Sequence, residues 1–470
     1  MELTAAEIAA ATDGRIAMGD PRTRATSFTI DSRLVEPGGC FIALRGARDG
    51  HEFVADAFAR GAAIAIVEQV PSDPSVTAAT RDDSIAGATV VQVPDGMVAL
   101  TALAHLARER LDGAAIVAIT GSAGKTATKD LTAAALARTH SVHASPGSFN
   151  NEAGLPLTLL GAPADVDVVV AEMGARFEGN IAHLAAIARP TVGVVTHIGL
   201  AHAETLGGRE GIARVKGELL DALPADALAV LNDDCDATPA LQAQTRARVL
   251  RVGRRPSADV QVTDVTLDDE LRAHFRLESP WGAAVIALTV RGEHQVDNAA
   301  QAATVALSLG APIAEVAAGL GDARGADHRM EIFRTADGVL VLDDAYNSSP
   351  TSAAAAVRSL ARLPVSGRRV AVLGEMLELG EQSDAEHAAL GALAAASGID
   401  LLVAVGTRAE SMVEGARGSG LTVLTVADPA AAPGVVAGEV RIGDAVLVKA
   451  SRAIGLERVA EALARRGAAA

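Results

Sequence analysis

The stretch "AAIVAITGSAGKTATKDL", residues 114–131, decides how this chain is read. Apolar residues at 115–119 predict a strand, Gly121 and Gly124 a tight turn, and Lys125-Thr126 the start of a helix. That order builds a phosphate cradle. Backbone N–H groups and the positive helix end face an anion, a lysine adds a point charge, and a hydroxyl can hold Mg²⁺. The longer pattern G-x-x-x-x-G-K-[ST] is not met, because Ile119 stands five positions before Gly124. A cradle of shorter form is therefore expected.

Outward from it, "DVVVAEM", "TVGVVTH" and "ALAVLND" are apolar runs of the kind that buried parallel strands show. The strand at 166–171 delivers Glu172-Met173-Gly174, and the strand at 191–196 delivers His197, His202 and Glu204. In a doubly wound sheet such carboxyl ends share one edge, where ligands bind. A helical stretch, "GREGIARVKGELLDAL", follows with Lys216 and Glu218. Read as an ordinary amphipathic helix, it leaves both in solvent. Each residue alone has a bland explanation, but a cradle, a carboxylate and an imidazole at one edge suit a Mg²⁺–nucleotide site.

The 470 residues predict about three domains, at roughly 100–200 residues each. With one Trp, one Tyr and eight Phe, the cores must be built from Ala, Val, Leu and Ile. A net charge of −17 argues against a nucleic-acid partner. Cys40 and Cys235 match no metal or disulfide spacing. The acidic start "MELTAAEIAAATDGRI" is not a signal peptide, and no apolar run approaches the roughly 18 residues of a membrane span. A cytoplasmic protein is expected.

The fold class expected is α/β in three domains. A small α/β domain spans 1–93, and a central P-loop-type doubly wound, mostly parallel sheet spans 94–325. A Rossmann-like α/β domain spans 326–470, where "GVLVLDDAYNSSP", "RRVAVLGEMLELG", "DLLVAVG" and "DAVLVKASRAIGLERV" alternate strand with helix.

These residues resemble the Mur ligase family, the ATP-dependent amide-bond-forming enzymes of peptidoglycan synthesis. Within it they resemble the members that join D-alanyl-D-alanine to UDP-N-acetylmuramoyl-tripeptide. The family's T-G-[ST]-x-G-K-[TS] loop is matched by "TGSAGKT" at 120–126, which accounts for the missing glycine. The resemblance covers nearly the whole chain. It implies ATP contacts at Gly121, Ser122, Ala123, Gly124, Lys125, Thr126 and Ala127, an adenine contact at Asn298 (with His294 nearby), and further nucleotide contacts at Asp343, Tyr346 and Asn347 of "LDDAYNSSPTS". It implies that Ser32, Arg33, Arg45 and Gly46 hold the UDP end, and that Asn150 and Asn151 of "SFNNEAGLPLTLL" meet substrate. Lys449, Ser451 and Arg452, implied substrate contacts, match the family's K-G-S-R stretch, with Ala450 in place of its glycine. Thr126, Glu172, His202 and a carbamylated Lys216 are the implied Mg²⁺ ligands, and Arg329 of "DHRME" the arginine near the γ-phosphate. Lys125, Glu172, His202, Lys216 and Arg329 would carry the catalysis, through an acyl phosphate. A monomer is expected. The competing readings are a relative that adds another amino acid, which "DDAYNSSP" disfavours, and a P-loop ATP-binding protein without bond-forming chemistry, which leaves the uridine-type first segment without a use.

Overall fold

The computed structural model describes residues 1–80, 87–200 and 203–466. The chain divides into two compact units, one of Met1–Ala118, His140–Gly174 and Asn180–Thr191, the other of Ile119–Thr139, Ala175–Gly179 and Val192–Ala470.

The first unit holds a five-stranded sheet in the order Arg15–Met18, Thr89–Gln92, Ile64–Val67, Cys40–Ile42, Phe28–Thr29. All its pairs are parallel except the first. Phe41, Ala65, Val67 and Val90 of the sheet pack with Val54 and Ala57 of the helix Val54–Ala59. The unit also contains the parallel pair Val142–Ala144 and Val168–Glu172 and the buried helix Gly154–Gly161.

In the second unit six strands run in the order Gly282–Arg291, Arg272–Ser279, Val260–Leu267, Arg248–Gly253, Leu228–Asn232, Val192–Val195. The expected strands at 115–119, 166–171 and 191–196 are Ala115–Thr120, Val168–Glu172 and Val192–Val195. Ala115–Thr120 is β-branched and apolar, and five of its six residues are buried. In the second unit, Val192–Val195 to Val260–Leu267 pair in parallel, and the last two strands of that edge are antiparallel. The hairpin Arg272–Arg291 was not expected from the sequence. The exposed face of its second strand carries Ala283, Val285 and Ala287, apolar residues that blur the alternation of a half-buried strand.

The helix Lys125–Leu136 packs against Gln295–Ser308, a helix buried on nearly every side. Such burial requires small side chains, and Ala fills five of its positions. The last sheet runs Glu331–Arg334, Leu340–Asp343, Ala445–Lys449, Arg369–Leu373, Leu401–Val405, Thr422–Val426, parallel after an antiparallel first pair. Aliphatic cores cover both its faces, as a doubly wound sheet requires. Among the described residues no helix is long and apolar enough to cross a membrane.

Candidate active site

The phosphate loop follows directly from its backbone. Gly121 has φ +146°, and a Cβ there would lie 2.0 Å from Thr196 Oγ1. Gly124 has φ +85° and faces Asn298, whose Oδ1 a Cβ would approach to 2.5 Å. Both positions therefore require glycine. Thr196 ties the loop to the neighbouring strand end: its hydroxyl donates to the Ala123 carbonyl at 2.6 Å, and its N–H donates to the Thr120 carbonyl at 2.9 Å. The Ser122 N–H donates to the His197 carbonyl at 2.7 Å, and its hydroxyl to that of Gly199 at 2.9 Å. Helix Lys125–Leu136 starts from Gly124 with no side-chain cap, leaving its positive end to an anion. Lys125 is half-buried as the first helical residue, with Nζ 2.9 Å from the Gly121 carbonyl. Ala127 lines, with Leu131, Gln295, Arg291 and Arg329, a cavity of about 170 Å³.

Asn298 lies behind the loop, at the start of Gln295–Ser308. It accepts from the Thr128 hydroxyl at 3.3 Å and donates to Gln295 Oε1 at 2.9 Å. Arg329 approaches from the other side, its Nη2 donating to Thr126 Oγ1 at 3.2 Å. Arg329 lies over the Tyr346 ring, 4.1 Å from its centroid, and Arg452 lies 5.2 Å from the same centroid. Asp343 is buried, with Oδ2 2.7 Å from His328 Nδ1. That hydrogen bond raises the His328 pKa; burial raises that of Asp343, partly opposed by the histidine.

The K-A-S-R stretch divides by exposure. Lys449 is 2 % exposed, with Nζ 2.6 Å from Asp344 Oδ2 and 2.8 Å from the Asn347 carbonyl. Ser451 is buried between the Leu377 N–H, which it accepts at 2.9 Å, and the Ser348 carbonyl. Both are occupied within the protein, whereas Arg452 is exposed. Asn347 is exposed as well.

Lys216, in the helix Gly208–Asp221, is 1 % exposed, so the solvent-face reading of this helix is corrected. Glu218 is half-buried and accepts the Gly179 N–H at 2.7 Å. The face that turns inward includes Ile212, Val215 and Leu219, and Lys216 is drawn in beside them. His202 lies outside the described residues. Among the described residues no group of three or more His, Cys, Asp and Glu side chains is gathered for a metal.

In the first unit, Glu172 closes its strand at 1 % exposure and accepts the Asn150 amide at 2.8 Å. The Asn150 carbonyl accepts the Gly174 N–H at 2.7 Å, so this residue joins "SFNN" to "EMG" by both backbone and side chain. Asn151 accepts the Gly154 N–H at 2.9 Å, next to the helix Gly154–Gly161. At the small sheet, Ser32 is buried and its hydroxyl holds the Asp56 carboxyl below its ordinary pKa. Arg33 is exposed and pairs with Asp31 at 2.6 Å. Arg45 and Gly46 lie in an exposed loop after Cys40–Ile42, with Arg45 Nε 2.8 Å from Glu68 Oε2. Arg48, not singled out from the sequence, lies in the same loop over Phe53, 4.3 Å from the ring centroid. Thr196 and His328 were also missed. Their positions, one at a predicted strand end and the other beside Arg329, were the available signal.

Three family models cover most of the chain. "Mur ligase family, catalytic domain" matches residues 24–110, "Mur ligase middle domain" 119–306, and "Mur ligase, glutamate ligase domain" 328–452. The UDP-N-acetylmuramoyl-tripeptide--D-alanyl-D-alanine ligase of Mycobacterium tuberculosis (strain ATCC 25618 / H37Rv) is 43% identical over 98% of each chain. A crystal structure of MurF from Acinetobacter baumannii superposes with a TM-score of 0.86 at 31% identity, over 99% of each chain. MurF ligase from Thermotoga maritima, solved in complex with ADP, gives 0.74 at 30% identity, over 93% of this chain and 97% of that one.

Proposed function

The chain belongs to the Mur ligase family and joins D-alanyl-D-alanine to UDP-N-acetylmuramoyl-tripeptide, and on that premise we propose how its residues divide the work. A carboxylate and an amine do not condense in water, because oxide is a poor leaving group. ATP removes that obstacle. Its γ-phosphoryl group passes to an oxygen of the tripeptide carboxylate, the bond to the ADP oxygen breaks, and an acyl phosphate forms. The dipeptide amine then attacks the carbonyl carbon, loses a proton, and phosphate leaves. The products are the pentapeptide precursor, ADP and phosphate.

Phosphoryl transfer asks a protein for position and charge neutralisation more than for covalent help. The loop Gly121–Thr126 and its helix end would bind the phosphates, with Ala127 and Asn298 toward the base. Lys125 would leave the Gly121 carbonyl for the β- and γ-phosphates. Arg329 would meet the charge that builds up on the transferred group. Thr126 and Glu172 are hard oxygen donors, which fits Mg²⁺, and with His202 and a carbamylated Lys216 they are the residues that would hold it. Bound there, the metal would neutralise phosphate charge. An ammonium would oppose that role, whereas a carbamate supplies an anionic oxygen. Asn150 would orient Glu172, and Asn151 would meet the precursor. Ser32, Arg33, Arg45 and Gly46 would hold its UDP end, and Arg452 a carboxylate of the dipeptide.

The observation that supports this most is Arg329, which reaches from the third family segment to Thr126 of the phosphate loop. The test is phosphate release with ATP and UDP-muramoyl-tripeptide. D-alanyl-D-alanine should accelerate it, while D-glutamate and lysine should not. Release that ignores the acceptor would refute the reading.

A further inference from the structure

The segment 343–346 grips residues 328–330 at four points. Asp343 Oδ2 lies 2.7 Å from His328 Nδ1, and the Tyr346 N–H donates to the His328 carbonyl at 3.1 Å. The Met330 N–H donates to Asp344 Oδ1 at 3.2 Å, and the Tyr346 ring carries the Arg329 guanidinium. His328 and Met330 have φ +57° and +54°, a left-handed backbone that residues with a Cβ adopt only when held there. Arg329 thus projects from a backbone fixed on both sides. Lys449 in turn holds Asp344 at 2.6 Å.

We propose that Tyr346 is a positioning residue whose ring, and not its hydroxyl, aims Arg329 at the phosphate loop and seats Arg452 beside it. The motif Asp343–Tyr346 would then serve the nucleotide indirectly, which goes beyond the direct contacts expected of it and rests on the role given to Arg329. A guanidinium prefers an aromatic face to an aliphatic one, because the ring's negative quadrupole attracts the cation. Two guanidinium groups repel each other, and a ring within about 6 Å of both favours their shared location. Asp343 cannot be the main anchor of Arg329, since its carboxylate is turned to His328 and to the Ala345 N–H.

The test uses full-length protein labelled with ¹⁵N-arginine. The Arg329 Nε–Hε resonance is assigned by its loss in Arg329→Lys. In the wild type the Tyr346 ring current should displace it. Tyr346→Phe should keep the displacement, and Tyr346→Leu should abolish it. In turnover, Tyr346→Leu should lower kcat about tenfold, as expected for one lost cation–π contact. KM for ATP should stay within about twofold, and Tyr346→Phe should restore kcat. At saturating D-alanyl-D-alanine, where the seating of Arg452 no longer limits turnover, Tyr346→Leu combined with Arg329→Lys should add little further loss. Equal damage by Phe and Leu, a loss confined to KM, or losses that multiply in the double variant would each overturn the proposal. If Arg329→Lys leaves turnover unchanged, the assignment of Arg329 to the reaction fails, while the resonance still decides whether the ring holds it. If Tyr346→Leu does not fold, Asp343→Asn takes its place. It should weaken the displacement with the ring intact, and an unmoved resonance would count against the clamp.

Discussion

Gly121→Ala should break the phosphate loop. At φ +146° an alanine carries strain of about 1–3 kcal/mol before any contact is counted. Its Cβ would then stand 2.0 Å from Thr196 Oγ1, with the backbone of His197 at 3.2 Å. Thr196 must move, and it gives up its bond to the Ala123 carbonyl, a loss of about 1 kcal/mol. The sum is about 2–4 kcal/mol, enough to displace the loop without unfolding a chain of this size. ADP affinity, measured by calorimetry, should fall by about 30- to 700-fold, with turnover falling at least as far. Thr196→Ala removes the obstructing oxygen. Placed with Gly121→Ala, it should cost less than the two single changes added together, because they share one clash. Thermal unfolding of the four proteins measures that coupling. Unchanged ADP binding in Gly121→Ala, or strictly additive losses in the double variant, would show that the Thr196 contact does not shape the loop.

Lys125→Ala should lower kcat about 10²–10³-fold, the scale of one lost preorganised electrostatic contact, with the unfolding midpoint nearly unchanged. Lys216→Ala should nearly abolish product formation in a mass assay. Acetate or formate should restore part of it by offering oxygens in the vacated space, whereas Lys216→Arg should stay inactive because its guanidinium keeps its charge. Full activity of Lys216→Ala in CO₂-free buffer would contradict the carbamate. His328, whose folded pKa is raised by Asp343, binds its proton more tightly in the folded state. Its contribution to stability is therefore complete below about pH 6.5 and is lost as pH rises through the folded value. The unfolding midpoint of His328→Asn, a residue that tolerates φ +57°, should fall less over that window than the wild type's.

Strands ending in a glycine turn or a carboxylate were legible because burial on both faces leaves an unbroken apolar run, as in "AAIVAIT" and "DVVVAEM". The hairpin Arg272–Arg291 was not, since Ala283, Val285 and Ala287 put apolar residues on the exposed face of its second strand. Residue type and spacing pointed to Lys125 and Glu172, and the family resemblance to Arg329. They did not show what each partner does with its hydrogen bonds. Lys449 and Ser451 read as substrate contacts, yet in the folded chain they hold neighbouring segments. Asp343 read as a nucleotide contact, yet it faces His328. Lys216 looked solvated because helical spacing gives a periodicity and not which turn lies deepest. Thr196 and His328 carried no motif, and their work appears only when two strand ends, or a linker and a strand end, are brought side by side.

Isotope transfer reads out whether an acyl phosphate forms at this phosphate loop. UDP-muramoyl-tripeptide with both oxygens of the reacting carboxylate labelled with oxygen-18 is turned over with ATP, Mg²⁺ and D-alanyl-D-alanine. The inorganic phosphate released is then examined by ³¹P resonance or mass. Each phosphate should carry one labelled oxygen taken from the carboxylate, and the pentapeptide should keep the other. Unlabelled phosphate, formed while the pentapeptide accumulates, would rule out an acyl phosphate.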